Sequence, residues 1–368
     1  MKHFLLFLTV LGPLVASPYG ISDSVGKKHD TQTFGVLRQP EPPQDDAAWR
    51  DFVSTSIPAQ SKEITHWEIL DSFNLGPRQQ NTPFRYVELL TIAKKAAPQA
   101  KIGFALAKYD LEFLNDALRE GAGGQFDFIS LSPFPCSEGC APVLATVLPT
   151  LRKLLAGYGV DSEMPVQITL SGSEAALTEM APLALSLGFS QVFLETNPAT
   201  FAKIPTQPAT MPEAADFSKK SVGTFTLGEK NTSDGLLQLF PSETPWDAEL
   251  SANRLHLIAM PPVFRTAFLT APGLIPPDDN EIEITVTAKR IPSEDGLQNP
   301  TAINLIYEST YGTNSPKVWW SIPGENEWHT NTWTIKDAKF TGKLGWNFLL
   351  DASGAGNDVL IKEVSVKR

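Results

Sequence analysis

Three carboxylates, Asp71, Glu174 and Glu195, lie at or just after the ends of segments that the sequence predicts as strands. In barrels of alternating strands and helices, the side chains that do chemistry come from the carboxyl ends of the strands. Two carboxyl groups brought together there can serve as a proton donor and as a base or nucleophile. Each also has a structural interpretation, as a helix cap or a partner in a surface ion pair. Asp71 can accept a hydrogen bond in its loop, and Glu174 falls in the first turn of a predicted helix. All three are therefore candidate catalytic residues with that structural alternative beside them.

The two cysteines, Cys136 and Cys140, are separated by three residues. In an oxidising compartment such a pair forms a local disulfide that closes a loop. A zinc site would need three or four ligands, and none of the five histidines lies near this pair in sequence. The sequence therefore favours the disulfide over a zinc or redox site, and it predicts neither a metal nor a cofactor.

Six of the eight tryptophans lie after residue 240, and among them Trp319, Trp320 and Trp328 are predicted contacts to carbohydrate. Sugars present C–H faces that can stack on aromatic rings. The alternative interpretation is core packing, in which large aromatic side chains contribute much of the buried area. If Trp319 and Trp320 belong to one strand, they point to opposite faces, and one of them faces out.

The elements that position these residues differ between the two halves of the chain. Residues 64–200 alternate between strand-like and helix-like segments, which predicts βαβ units around a parallel sheet or barrel. The strands are apolar runs more than alternations, as expected where both faces of a sheet are covered. The predicted strands are 64–70, 101–107, 126–131, 166–170 and 191–195, and the predicted helices are 86–96, 111–119, 143–156 and 174–187.

A different pattern begins after residue 195. The range 196–215 contains four prolines and no periodicity, which predicts a linker or docking segment. Beyond it the helical pattern disappears, and short strand-like runs are separated by Gly, Asn, Asp and Pro. This pattern predicts a β-sandwich of jelly-roll type. The runs are 281–288, 302–307, 332–335, 346–350 and 359–366.

The first residues predict export. Lys2 and His3 precede an apolar run over 4–16, and Ala16 and Ser17 are small. This arrangement is typical of a signal peptide, here residues 1–17, and the run is shorter than the roughly 20 apolar residues of a membrane-spanning helix. A buried N-terminal helix is the alternative. The predicted location is secreted, extracellular or periplasmic.

Charge limits the class of partner. Acidic residues outnumber basic ones by 41 to 30, giving a formal net charge of −11. Nucleic-acid binding calls for a basic patch or stripe, and an acidic protein is not suited to an anionic membrane surface. No later segment is long and apolar enough to span a membrane. A neutral polysaccharide or oligosaccharide remains compatible, as does a protein partner.

The stretch 65–74, THWEILDSFN, resembles the fourth strand of the clan of retaining glycoside hydrolases with a (β/α)8 barrel. That strand commonly has tryptophan, glutamate, isoleucine, one further residue, asparagine and glutamate. The resemblance continues through Tyr86 and 97–102, while 126–130, 165–169 and 191–194 resemble strands six, seven and eight. It implies a barrel with a sugar-binding cleft, and Trp67 is added to the candidate carbohydrate contacts. Glu68 matches a position that is usually structural in the clan.

The positions that carry the clan's chemistry differ in this chain. Retaining hydrolases use two carboxyl groups about 5 Å apart. The acid/base glutamate and its preceding asparagine are replaced by Ser72 and Asp71, and the position of the nucleophile on strand seven is occupied by Leu170. Ser132 stands where the clan often has a histidine after strand six. The resemblance therefore predicts the scaffold without its usual two-glutamate mechanism.

We expect a signal peptide over 1–17, a partial or complete barrel over 18–215 and a carbohydrate-binding-like β-sandwich over 216–368. A full barrel takes about 250 residues, whereas 18–215 supplies about 200, and most of the shortage precedes strand four. The leading hypothesis is a non-catalytic protein that binds or positions polysaccharide. Alternatives are an active glycosidase using displaced carboxylates and an extracellular protein-interaction module.

Overall fold

The first half of the chain forms one sheet of eight short strands. Their bounds are β1 Tyr19–Ser22, β2 Lys28–His29, β3 Phe34–Leu37, β4 His66–Ile69, β5 Lys101–Leu106, β6 Phe128–Cys136, β7 Val166–Gly172 and β8 Gln191–Glu195. The computed structural model describes residues 19–22, 28–29, 34–38, 43–60, 64–76, 80–136, 141–209, 216–227, 232–239, 246–247, 252–255, 265–276, 278–291, 301–314, 318–324, 327–352 and 359–368.

Strands β3 to β8 pair in chain order and are all parallel. Strand β1 adds in parallel to β8, and β2 adds antiparallel to β1 and contacts β3 without a ladder between the described residues. The rings of Phe34 on β3 and Phe193 on β8 lie 5.4 Å apart although five strand intervals separate them along the sheet. The sheet therefore curls round into a partial (β/α) barrel, and the predicted βαβ units around a parallel sheet are confirmed.

Helices follow the strands from β3 onward and cover the outer surface. Their bounds are α1 Asp46–Gln60, α2 Pro83–Ala96, α3 Leu111–Arg119, α4 Ala141–Gly157, α5 Glu174–Leu187 and α6 Pro198–Phe201. Side-chain caps fix three starts, because Thr82, Asp110 and Ser173 each accept a hydrogen bond from a backbone amide of the first turn. Gly188 ends α5 with φ 90°, a left-handed conformation that glycine adopts without strain.

Alternate residues of each strand face the helices or the interior of the barrel, which we call the lumen. The residues that face the helices are apolar and form one core with them. They include Leu37, Trp67, Ile69, Ile102, Phe104, Leu106, Ile129, Leu131, Val166, Ile168, Leu170, Val192 and Leu194.

Few residues precede β4 for three strand–helix units, and the early units are correspondingly short. Strands β1, β2 and β3 have four, two and four residues, and no helix precedes β3 among the described residues. Helix α1 was not predicted. Pro58 lies in its last turn, and its buried face consists of three residues, Trp49, Val53 and Ile57.

The second half of the chain contains two antiparallel sheets. The strands are β9 Val222–Thr226, β10 Thr232–Asp234, β11 Leu236–Leu239, β12 Trp246–Asp247, β13 Ala252–Leu255, β14 Arg265–Thr270, β15 Ile282–Arg290, β16 Ala302–Ser309, β17 Gly312–Asn314, β18 Trp319–Ser321, β19 His329–Ile335, β20 Phe348–Asp351 and β21 Val359–Lys367. One sheet has the order β10-β9-β21-β13-β12, with β15 pairing β21 and β19, and the other has the order β11-β14-β20-β16-β17, with β18 also on β16. Apolar side chains from both sheets, such as Ile284 and Phe348, pack in one cluster.

The sheet containing β14 and β20 is buried on both faces. Phe268 and Phe348 belong to the core between the two sheets, whereas their neighbours Leu269 and Leu349 belong to the core of the barrel. Trp346 also belongs to the barrel core. The two halves of the chain therefore share an apolar interface, built by the alternation of side chains along these strands.

Some predictions fall on residues that the structure does not describe. The predicted signal peptide lies before residue 19, and the predicted boundary at 215 lies in the undescribed range 210–215. Cys136 is the last residue of β6, but Cys140 lies outside the described residues, as does the predicted disulfide with it. Among the helices that are described, none is long and apolar enough to cross a membrane.

Candidate functional site at the mouth of the barrel

The segment after β4 has an unusual backbone. Leu70 and Ser72 both have positive φ, at 51° and 65°, and they flank Asp71. Residues other than glycine reach this left-handed region at a cost of about 1 kcal/mol or more, so the surrounding structure must hold them there. The backbone amide of Leu70 donates to the carbonyl of Leu37 at 2.9 Å and that of Phe73 donates to the carbonyl of Leu70 at 3.0 Å. The strained turn is therefore tied to β3 and fixes the direction of Asp71.

Asp71 is engaged by an arginine at the end of the neighbouring strand. Nε and Nη2 of Arg38 donate to the two carboxylate oxygens of Asp71, which makes a bidentate ion pair between the ends of β3 and β4. The Asp71 side chain is nearly buried, while that of Arg38 is partly exposed. Both oxygens of this candidate acid are thus occupied by a cation.

A tyrosine supports this segment from below. The hydroxyl of Tyr86 donates to the carbonyl of Ile69 at 2.8 Å and accepts from the amide of Ala105 at 2.9 Å, so it joins the ends of β4 and β5. Burial raises the pKa of Tyr86, and the nearby carboxylates of Glu68 and Asp71 raise it further. The phenol therefore stays protonated and acts as a fixed hydrogen-bonding bridge.

The floor of the lumen is aromatic. Phe34 contacts His66, Phe128 and Phe193 with ring centroids between 4.6 and 6.0 Å apart, so side chains from β3, β4, β6 and β8 meet in one layer. Gly103 on β5 completes the layer, because a Cβ there would lie 2.3 Å from the Phe128 ring. Burial and the Lys101 ammonium lower the pKa of His66, so it contributes to this layer as a neutral ring.

The wall above this floor is polar. Glu68, Ser130, Gln167 and Thr169 are buried and alternate with the residues that face the helices. The lumen of such barrels is normally filled by bulky branched side chains. The sequence VQITL of β7 carries this pattern, since its polar residues alternate with apolar ones, although the strand was interpreted as an apolar run.

The mouth on the far side is formed by β7 and β8. Ser171 is paired in register with Glu195, and Glu195 is exposed. Leu170 is fully buried in the core between sheet and helices, so the assignment of the strand-seven site to Leu170 is corrected. The residue that faces the mouth there is Ser171, which also carries no carboxylate.

Glu174 has a structural role at the start of helix α5. It is exposed at the first position of α5 and accepts hydrogen bonds from Lys203 Nζ at 2.9 and 3.0 Å. A further bond of 3.2 Å comes from the hydroxyl of Thr200. The hydrogen bond from Lys203 holds the pKa of Glu174 below its usual value. This carboxylate ties α5 to the segment around α6.

The tryptophans divide between core and surface. Trp67 is buried against Gly35 and faces the helices, so it is not a surface for a ligand and the prediction of a sugar contact there is corrected. Trp319 is 60% exposed, whereas Trp320 packs against Trp333 with ring centroids 6.4 Å apart, so the two neighbours do point to opposite faces of β18.

Trp328 lies between two cations on the surface of the second half. Its half-buried ring has Lys289 Nζ and Lys362 Nζ each 5.6 Å from the centroid. These cation–π contacts occupy much of the space near the ring. Trp319 is therefore the more accessible of the three tryptophans predicted to bind sugar.

Three residues of the site were not among the sequence candidates. Arg38 directly follows strand β3, and a cation at a strand end is the signal that would have identified it. Gln167 and Thr169 were signalled by the alternation within β7. Among the described residues, no cluster of three or more His, Cys, Asp or Glu side chains could hold a metal ion.

Comparison with known proteins gives distant structural matches alone. No family model and no curated protein matches the chain. The chain is similar to a curdlan-specific exo-β-1,3-glucanase of family GH128 from Blastomyces gilchristii, with 14% identity over 54% of this chain and 84% of that chain and a TM-score of 0.35. It is similar to a family 39 glycoside hydrolase from Bacteroides cellulosilyticus, with 10% identity over 84% of this chain and 63% of that chain and a TM-score of 0.35. A carboxyl transferase domain of Rhizobium etli pyruvate carboxylase matches with 16% identity, 44% and 27% coverage and a TM-score of 0.29. At such scores none of these proteins transfers its activity to this chain.

Proposed function

We propose that this protein binds a neutral polysaccharide or oligosaccharide at the mouth of its barrel and does not use the two-carboxylate mechanism of retaining glycosidases. One observation carries the proposal. At the positions where the sequence resemblance expects two glutamates the chain has Ser72 and Leu170, and the side chain that faces the mouth at the end of β7 is the hydroxyl of Ser171. A serine hydroxyl does not protonate a leaving group at neutral pH.

Of the two carboxylates that remain near the mouth, Asp71 follows β4 and Glu195 ends β8. The hydrolase mechanism needs two carboxyl groups that are free to exchange protons or to attack. Both oxygens of Asp71 accept from Arg38, so this carboxylate is not available to deliver or take a proton.

The chemistry of the mouth suits a neutral, hydroxyl-rich ligand. The Arg38–Asp71 pair has no net charge, and Ser72, Ser171 and Glu195 add donors and acceptors. Hydroxyl groups of a sugar can donate to a carboxylate and accept from a guanidinium, and such charge-assisted bonds are the stronger ones. The aromatic floor below offers an apolar surface to a sugar ring.

Two further points belong to the same proposal. Secretion, which the N-terminal pattern predicts, would give the protein access to extracellular polysaccharide. The two-sheet half, interpreted as a jelly-roll-like carbohydrate-binding domain, would contribute through Trp319, whose exposed ring can stack on sugar faces.

The test measures binding and product release on the same polysaccharide panel. Affinity electrophoresis and calorimetry report binding by the mature protein, and chromatography reports soluble sugars. We expect retention by at least one neutral polysaccharide without released sugar. The Glu195→Gln variant should bind about tenfold more weakly, as expected for one lost charge-assisted hydrogen bond. Glu179→Gln, the same change at an exposed position of α5, should bind as the wild type does.

Two results contradict the proposal. Release of sugar that disappears in Asp71→Asn or Glu195→Gln would make the protein an active glycosidase with displaced carboxylates. Failure to bind any member of the panel, with the protein folded by circular dichroism, would remove the glycan function altogether.

A further inference from the structure

Strand β19 is an open edge of the sheet that contains β15 and β21. It pairs with β15 over seven residues, from His329 opposite Ala288 to Ile335 opposite Ile282, without a shift of register. On its other side no strand pairs with it among the described residues. About half of its backbone N–H and C=O groups therefore point along the sheet with no strand to receive them.

The edge lacks the features that usually prevent a strand from pairing with another chain. Natural sheets protect open edges with short strands, prolines, bulges or charged side chains, lysine above all. The sequence of β19, HTNTWTI, contains no proline, lysine, arginine or acidic residue. The other described edge strands of the two antiparallel sheets are short, since β10, β12, β17 and β18 have two or three residues, and β11, with four, contacts helix α4. Strand β19 is thus an edge about 24 Å long that can accept a further strand.

The exposed side chains of β19 suit a second copy of the same strand. Thr330, Thr332 and Thr334 lie on its outer face and are exposed. If two copies pair antiparallel with Thr332 opposite itself, Thr330 lies opposite Thr334, and every pair on this face joins two threonines. The sheet already contains such pairs. The hydroxyl of Thr332 lies 2.8 Å from that of Thr285, and the hydroxyl of Thr330 lies 3.0 Å from that of Thr287. Opposed threonines of this kind stabilise neighbouring strands.

Register and charge favour the same arrangement. Directly opposed residues of an antiparallel pair point to the same face, so outer residues must meet outer residues. A two-fold axis at Thr332 brings all seven residues into pairs, with His329 opposite Ile335, whereas an axis at Asn331 or Trp333 pairs only the five residues nearest to it. The chain carries a formal net charge of −11, and a strand without acidic or basic residues lets two copies meet without repulsion along the contact.

Aromatic side chains beneath the edge add apolar surface. Trp320 on β18 contacts Trp333 on β19 with ring centroids 6.4 Å apart, so the open edges of both sheets lie on the same side of the two-sheet half. Trp320 is half-buried, and its neighbour Trp319 is exposed. A strand added to β19 would extend the sheet over this side and cover apolar surface that one chain leaves in contact with water.

We infer that two copies of this chain pair antiparallel through β19, with Thr332 at the two-fold axis, so that their sheets become one continuous sheet. The pairing goes beyond the proposed function and does not depend on it. A dimer of this kind carries two barrel mouths.

Sedimentation velocity of the purified protein over a range of concentrations tests the pairing. We expect the wild type to change from monomer to dimer as its concentration rises. Thr332→Lys should lower the association constant about tenfold or more, because two lysines then occupy directly opposed positions about 5 Å apart at Cβ.

Thr285→Lys is the matched control, because it removes the same contact between hydroxyl groups. Its two lysines would lie three strand intervals apart in the dimer, or about 14 Å at the usual strand spacing. That exceeds the roughly 10 Å over which exposed charges act at 0.1 M salt. We therefore expect Thr285→Lys to dimerise as the wild type does.

An equimolar mixture of Thr332→Lys and Thr332→Glu tests the position of the axis. Each variant alone should stay largely monomeric. The mixture should form heterodimers, because opposite charges then face each other across the new strand pair.

Three results would overturn the inference. A wild type that stays monomeric at every concentration would leave the edge to solvent or to an extended segment of a different protein. A Thr332→Lys protein that dimerises like Thr285→Lys, with both folded by circular dichroism, would place the contact elsewhere, as would a mixture that stays as monomeric as its two components. If Thr332→Lys loses its fold, Thr332→Glu compared with Thr285→Glu makes the same distinction.

Discussion

Glu308 organises the loop that docks the two-sheet half on the barrel. It is buried on β16, and its carboxylate accepts five hydrogen bonds. Three come from the backbone amides of Thr341, Gly342 and Lys343 at 2.7–2.8 Å. The others come from the hydroxyl of Thr341 at 3.1 Å and the side-chain amide of Asn347 at 2.9 Å. The carboxylate thus closes a ring around 341–347, the loop that inserts Trp346 into the barrel core.

Replacing Glu308 by Gln has a cost that can be worked from these contacts. In glutamine an NH2 group stands in place of one carboxylate oxygen. Fewer hydrogen bonds are lost if it replaces Oε1, because Oε1 accepts two bonds and Oε2 accepts three. The hydroxyl of Thr341 can rotate to accept, but the amide of Lys343 then faces another donor. One unsatisfied buried amide costs about 1–3 kcal/mol, and the loss of charge weakens the remaining bonds. We expect about 3 kcal/mol in total.

The assay is thermal unfolding of the mature protein followed by calorimetry and circular dichroism. For a cooperative unit of about 150 residues, a loss of 3 kcal/mol lowers Tm by about 6–12 °C. Glu283→Gln is the matched control, because this exposed glutamate of the same half pairs with Lys367 at 3.0 Å on the surface. Exposed pairs contribute about 0–1 kcal/mol, so its Tm should hardly change. A Glu308→Gln protein that melts within about 2 °C of the control would refute the reasoning, since that corresponds to less than about 1 kcal/mol.

Two further variants test the barrel half. Tyr86→Phe leaves the buried amide of Ala105 without its partner and should cost about 1–3 kcal/mol by chemical denaturation, whereas Tyr311→Phe, 92% exposed, should cost nothing measurable. Equal stabilities of the two would contradict the bridging role of Tyr86. Burial raises the pKa of Asp127, but the hydrogen bond from Lys94 and the other interactions outweigh it and hold the pKa below its usual value. The contribution of Asp127 to the stability of the fold is therefore fully present above the unfolded pKa near 3.8. It is lost as the pH falls through the folded value. Tm measured from pH 7 downward should therefore fall less steeply below pH 4 for Asp127→Asn than for the wild type, and parallel curves would contradict this.

Local sequence determined most of the barrel's elements. Helices 111–119 and 174–187 were predicted with the bounds that the structure has, because an apolar face, a capping residue and, for the second, Gly188 are encoded in the same short segment. Strand 191–195 was also predicted with its final bounds. The early strands β1 and β2 were missed, because strands of four and two residues give no periodicity to detect.

The candidate site was predicted in part. Asp71 and Glu195 were identified, since a carboxylate next to a predicted strand end is a local feature. The environments of these two carboxylates were not predicted from the sequence. The ion pair of Asp71 with Arg38 joins residues 33 positions apart, and it exists because β3 and β4 are parallel neighbours.

The chain by itself thus determined the type and order of the barrel's strands and helices from β4 to β8, and the positions that lack the expected glutamates. The curling of the sheet decided which side chains face the helices, which face the lumen and which strands lie across the mouth from each other. It directed Leu170 toward the helices and Gln167 and Thr169 into the lumen, and it set β4 and β8 on opposite sides of the mouth. Strand register and closure depend on contacts between residues distant in sequence, which periodicity within one segment does not encode.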